Sequence, residues 1–120
     1  MTGRVSQLHA LVPVIVRLPG QPDISIEFVV DTGFTGFLTL PLAAVTALSL
    51  DYIEDVSANL ATDDDVSLPV HAATIVWNGV EREVRVLATG RRPLLGTGLL
   101  DSHEFVAQFV EGGLVTIDDL

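Results

Sequence analysis

In two runs between Val12 and Val30 the sequence alternates with a period of two, a rhythm that suits pleated strands. Val12, Val14, Val16 and Leu18 alternate with Pro13, Ile15 and Arg17; Ile24, Ile26, Phe28 and Val30 alternate with Ser25 and Glu27. Between the two runs, Pro19-Gly20-Gln21-Pro22-Asp23 is dense in residues that fix or free the backbone dihedral φ, so the chain turns there. The two runs read as a hairpin, and its second strand carries Asp31 to its end.

Asp31-Thr32-Gly33 sits between Phe28-Val29-Val30 and Phe37-Leu38 with Leu40. An unpaired charge leaves water at high cost, so a carboxylate placed in so much hydrocarbon calls for a reason. Ordinary surface turns also carry Asp and Gly, but polar neighbours usually flank them. The turn therefore reads as a device that holds a carboxylate in a dry place, where its proton affinity can be tuned. The competing reading is a turn acid that caps its own backbone.

Strand signals continue along the chain. Pro41 suits the first turn of a short helix, where its missing N–H does no harm, with Leu42, Val45 and Leu48 at helical spacing and Thr39 as a cap. Residues 53–60 read as extended, Ala61-Thr62-Asp63-Asp64-Asp65 as a polar break, and Val66 to Trp77 as a strand. Asn78-Gly79 is a strong two-residue hairpin signal into Val80 to Ala88. Gly90-Arg91-Arg92-Pro93 reads as a solvated turn, Thr97 to Ser102 as one or two helical turns, and Phe105 to Val110 and Leu114 to Ile117 as strands around Glu111-Gly112-Gly113. Seven or eight short strands with one or two short helices, no repeat and no linker predict an all-β fold, a small closed or partly closed barrel in one domain over residues 1–120.

Composition bounds the function. A hydrophobic content of 48% with 6% aromatics implies a core built on Val, Leu, Ile and Ala. A formal charge of −10, from 16 acidic and 6 basic residues, repels phosphate backbones, so neither nucleic acid nor an anionic membrane is an expected partner. With no cysteine there are no disulfides, thiolate metal sites or thiol nucleophiles. Leu11 to Val16 is apolar but broken by Pro13 and followed by no cleavage pattern, and no stretch reaches the length of a membrane span; a cytoplasmic location is expected. His9, His71 and His103 share no metal-site spacing and read as satisfied surface or partly buried histidines. Trp77 reads as a half-buried hairpin aromatic.

Taken in order, these segments resemble the retropepsin-like aspartic proteases in their small single-domain bacterial form. The apolar run into Asp31-Thr32-Gly33 continues as Phe34-Thr35-Gly36-Phe37-Leu38-Thr39-Leu40-Pro41. Leu60-Ala61-Thr62-Asp63-Asp64 is similar to the family's flap hairpin, Leu94-Leu95-Gly96-Thr97-Gly98-Leu99-Leu100 to its hydrophobic-hydrophobic-glycine signature and helix, and Phe105 to Ile117 to its terminal hairpin. The resemblance implies an aspartic endopeptidase that needs no cofactor or metal and acts on peptide or unfolded protein. It implies that Asp31 is catalytic, that Thr32 and Gly33 shape the active-site loop, and that Gly96 packs beneath that loop. Residues 60–66 would then cover an extended substrate.

Aspartic proteases need two carboxylates sharing one proton, and this chain has one such motif: Asp101-Ser102-His103 lacks the glycine and Gly96-Thr97-Gly98 lacks the acid. The resemblance thus implies a symmetric homodimer in which Asp31 meets its own counterpart. Two alternatives stay open, a catalytically silent dimerisation or peptide-binding module of the same fold and an unrelated small β-barrel with a ligand in its mouth. Two departures from the family stand out. Phe34 occupies a place where small residues are familiar and either narrows a pocket or packs in the core. Asp63-Asp64-Asp65 stands where glycine is frequent, and two such tips would set six carboxylates against each other. Their repulsion at neutral pH would hold the tips apart and acid would relieve it. Replacing all three by Asn is expected to flatten the pH dependence of peptide affinity between about pH 3 and 7, read by fluorescence anisotropy; an unchanged profile contradicts the repulsion.

Overall fold

The computed structural model describes residues 1–59 and 62–120. β1 (Thr2–Ser6) and β2 (His9–Arg17) form a hairpin around Gln7 and Leu8, both at positive φ. β3 (Ile24–Val30) pairs antiparallel with β2 from Leu11 opposite Val29 to Val16 opposite Ile24. β4 (Leu38–Leu40) leads into α1 (Leu42–Ala47), and β5 (Asp51–Asn59) and β6 (Asp65–Trp77) make a long hairpin. Asn78 and Gly79, both at positive φ, turn β6 into β7 (Val80–Ala88), as an Asn-Gly pair predicts. β8 (Leu94–Leu95), α2 (Thr97–Leu100), β9 (His103–Ala107) and β10 (Leu114–Asp119) follow.

All ten strands of the described residues join one sheet in the order β5-β6-β7-β4-β8-β3-β2-β1-β10-β9. A further pairing of β2 with β6, Val16 opposite Ile75, closes β2, β3, β8, β4, β7 and β6 into a ring. The fold is all-β with two short helices and a partly ring-like sheet. None of the described helices is long and apolar enough to cross a membrane.

The period-two pattern places the core. Val12, Val14 and Val16 are at most 1% exposed, whereas Ile15, one step out of phase, is 40% exposed. Phe28, Leu38, Ile75, Leu95, Leu99 and Ile117 fill the inside, each burial contributing about 1.5–3 kcal/mol. Val84, Val86 and Ala88 of β7 face the same interior, and Glu83 and Arg85 face away from it.

Three local expectations differ from the structure. Residues 2–6 form a strand that no alternation announced; Gly3 lets β1 lie against the Leu11 carbonyl, where a Cβ would collide. Thr39 caps nothing: it is buried in β4, where its hydroxyl accepts the Leu94 N–H at 3.2 Å, while α1 begins after Pro41 with no side-chain cap. β9 stops at Ala107 instead of running to Val110, because the Gly113 N–H donates to the Val110 carbonyl and Gly113 packs on the Gln108 backbone.

Phe28 is fully buried at the centre of this packing. Phe28→Ala is expected to cost about 3–5 kcal/mol in urea unfolding at fixed protein concentration. Val106→Ala, at a 46% exposed position, is expected to stay within about 0.5 kcal/mol; equal losses in the two variants would contradict the assigned core.

Candidate active site

Asp31 follows the last residue of β3, and β8 fastens it there. The Val29 N–H donates to the Pro93 carbonyl and the Asp31 N–H to the Leu95 carbonyl, both at 2.9 Å. These bonds belong to a short parallel pairing, Val29 beside Leu94 and Val30 beside Leu95. The carboxylate is tied locally as well: the Gly33 N–H donates to its Oδ1 at 2.9 Å, and the Phe34 N–H donates to the Asp31 carbonyl at 3.2 Å.

The loop rests on the segment that starts α2. The Gly96 N–H donates to the Phe37 carbonyl, the Thr97 N–H to the Phe34 carbonyl and the Gly98 N–H to the Gly36 carbonyl, at 2.9, 2.8 and 3.0 Å. Three successive amides thus hold three loop carbonyls, so the two backbones lie in direct contact. A Cβ on Gly96 would lie 2.6 Å from the Phe34 carbonyl oxygen and collide with that of Gly36. The Phe34 ring lies over both glycines, with Cδ2 2.6 Å from the Cβ position of Gly96 and Cε1 2.6 Å from that of Gly36.

Phe34 also lines an apolar pocket. The pocket, of about 240 Å3, opens between the loop and the β5–β6 hairpin, with Phe37, Val56, Val70 and Leu87 among its walls. Val56, Val70 and Leu87 were no part of the sequence expectation, since they read as ordinary strand residues. At its edge Arg85 pairs with Glu54 at 3.2 Å, and the Arg82 guanidinium lies 5.5 Å from the centre of the Phe37 ring.

The expected dry setting for Asp31 is corrected by the structure. Asp31 is half-buried, Thr32 and Gly33 are exposed, and the Thr32 hydroxyl makes no hydrogen bond among the described residues. The flanking hydrocarbon covers one side of the loop, because Phe28 faces the ring interior, and the loop itself projects from the end of the strand.

Of the expected covering segment, Leu60 and Ala61 lie outside the described residues. Thr62, Asp63 and Asp64 are exposed at the end of the β5–β6 hairpin, which pairs out to Asn59 opposite Asp65. Thr62 Oγ1 donates to Asp64 Oδ2 and Asn59 Nδ2 to Asp65 Oδ1, both at 3.2 Å, so Asp64 and Asp65 are tied within the turn. Arg92 is exposed in its turn, as expected, and donates from Nη1 to His9 Nε2 at 2.8 Å. Trp77 is buried, and its Nε1–H donates to His103 Nε2 at 3.1 Å.

With this geometry in view, a likeness to known structures is informative. The chain superposes on the crystal structure of a retropepsin-like aspartic protease from Rickettsia conorii with a TM-score of 0.62 and 18% sequence identity, over 96% of this chain and 87% of that one. The fold is therefore retropepsin-like. At such low identity the likeness carries the fold and leaves the chemistry to the site. No family model and no curated protein matches the sequence.

Because two of the obstacles to a Cβ at residue 96 are backbone oxygens, Gly96→Ala must displace the Asp31 loop as well as the Phe34 ring. The variant is expected to lose about 1–3 kcal/mol of stability by urea unfolding. An unchanged midpoint would contradict the tight seating of the loop.

Proposed function

We propose that the protein is an aspartic endopeptidase built as a homodimer, with residues 1–120 as one domain and each chain supplying one Asp31. One observation carries this reading. The Asp31 loop is backed by the Gly96, Thr97 and Gly98 amides yet presents Asp31, Thr32 and Gly33 outward, with the Thr32 hydroxyl unpaired among the described residues. A second copy turned about a twofold axis would supply the missing carboxylate and a partner for that hydroxyl, and would cover the side that one chain leaves wet.

In such a pair the two carboxylates lie about 3 Å apart and hold one proton between them. The ionised acid takes a proton from a water molecule, whose oxygen attacks the peptide carbonyl, while the protonated acid donates to the carbonyl oxygen. The acid that took the water proton then donates it to the amide nitrogen while a hydroxyl of the tetrahedral diol returns its proton to the other carboxylate; the C–N bond breaks, amine and carboxylic acid leave, and the pair again holds one proton. The Gly33 N–H holds Oδ1 of Asp31, orienting the carboxylate for this exchange. Thr32 and Gly33 act as loop residues and Gly96 as their seat. Thr62, Asp63 and Asp64, with Leu60 and Ala61, would lie over an extended substrate, whose backbone pairs as an added strand.

The test uses denatured protein substrate from pH 3 to 7. Cleavage by the parent, abolished in Asp31→Asn and blocked by a pepstatin-type transition-state mimic, is the expected result. Absence of cleavage at every pH by a protein that light scattering shows to be a dimer would overturn the peptidase reading in favour of a peptide-binding module.

A further inference from the structure

All six basic residues of this acidic chain are arginines, and their partners divide them. Arg4 pairs with Glu27, Arg17 with Asp23 and Glu81, and Arg85 with Glu54, while Arg82 lies over Phe37. Among the described residues, Arg91 and Arg92 have no carboxylate partner. Both sit on the turn that leads into β8, the strand that fastens Asp31. In a chain of net charge −10, a cation without an acid on the turn before β8 calls for an explanation.

The pairing register places Arg92 more closely. Ala10, Val12, Val14 and Val16 of β2 face the core, so His9 and Leu11 occupy the opposite face. Leu11 stands opposite Val29, so Val29 shares that face, and Asp31, two residues on, continues it about 7 Å farther along the strand. β3 lies between β2 and β8, so Arg92, arriving at β8, must reach across β3 to bond His9 of β2. The bridge crosses on the face of Val29 and Asp31, away from the core.

The chemistry of the bridge fixes the histidine tautomer. A guanidinium only donates, so His9 Nε2 accepts with its lone pair and the ring proton sits on Nδ1. A neutral acceptor orients Arg92 without neutralising its charge. The remaining N–H groups of its planar fork stay open to an anion, which an acidic partner would have claimed.

We propose that Arg92, oriented by His9, is a specificity-determining residue that takes the carboxylate of an acidic side chain within about two residues of the bond cleaved, given about 3.4 Å of rise per residue in an extended peptide. The proposal rests on the reading of the Asp31 face as the substrate face. It changes the substrate class, since the pocket beside Phe34 alone would select apolar residues, whereas this bridge adds an acidic one.

The test separates binding from cleavage. In the Asp31→Asn background, fluorescence anisotropy at pH 7 compares end-capped peptides that carry Glu or Gln beside an apolar residue. The Glu peptide is expected to bind about fivefold tighter, the scale of a partly screened charge-assisted contact. Arg92→Leu should erase that ratio, Arg92→Lys should keep part of it, and Arg91→Leu should leave it intact. A ratio near one in the Asp31→Asn protein, or a ratio that survives Arg92→Leu, overturns the inference. So does a preference carried only by a free C-terminal carboxylate in a matched peptide without Glu. If the ratio behaves as expected but the parent cleaves none of these peptides, the acidic subsite stands and the peptidase reading falls.

Discussion

The structure depends on the contact between two backbones, the Phe34–Phe37 carbonyls and the Gly96–Gly98 amides. Side-chain packing tolerates small adjustments, but a backbone face with no Cβ between its partners does not. Gly96 makes the approach possible, and three hydrogen bonds of 2.8–3.0 Å hold it. The approach lets a two-residue strand, β8, close the ring between β3 and β4, although so short a pairing adds little by itself. The position of Asp31 is thus a consequence of ring closure: its N–H is bonded to Leu95, its carbonyl to Phe34 and its carboxylate to Gly33. With the residue held at three points, one of them on the carboxylate, the side chain has little freedom left to lose, which is the economy a preorganised site requires.

Much of this was legible in the sequence, for reasons that can be named. The Val12–Val14–Val16 phase gave the buried face of β2 because a strand has no freedom to rotate its side chains between faces without shifting register. Asn78-Gly79 announced its turn because both residues tolerate the left-handed conformation that they adopt. Gly96 was readable from its order after Asp31, and its tight packing is a property of backbone alone. What stayed hidden depends on contacts distant in sequence. Thr39 has the chemistry of a cap, and only the arrival of Leu94, 55 residues later, makes it a strand residue with a bonded hydroxyl. Likewise, the bond from Arg92 to His9 joins residues 83 apart and leaves no local trace. β1 was missed because its one fully buried apolar residue, Val5, is too little to set a period.

The half-buried Asp31 shows a different limit. Flanking hydrocarbon predicts a dry carboxylate when one chain provides all the cover, yet here the hydrocarbon turns inward and the acid is left at the rim. Local sequence records which side of a strand is apolar; it does not record how many chains complete the other side. The charge balance bears on the same point. In the proposed homodimer two chains of net charge −10 would repel, so an approach through paired acidic loops would require compensation at close range. The tethered Asp31 carboxylates would offset part of that cost by sharing one proton.

The most direct test of the shared-carboxylate account is a mixing experiment. Parent and Asp31→Asn chains are unfolded together, refolded in equal amounts, and assayed at constant total protein. If each active centre needs Asp31 from both chains, only the parent–parent pairs work, and activity falls to about a quarter of that of the parent alone. Activity that falls only to a half, in proportion to the parent chains present, would mean that a single Asp31 suffices and would contradict the account.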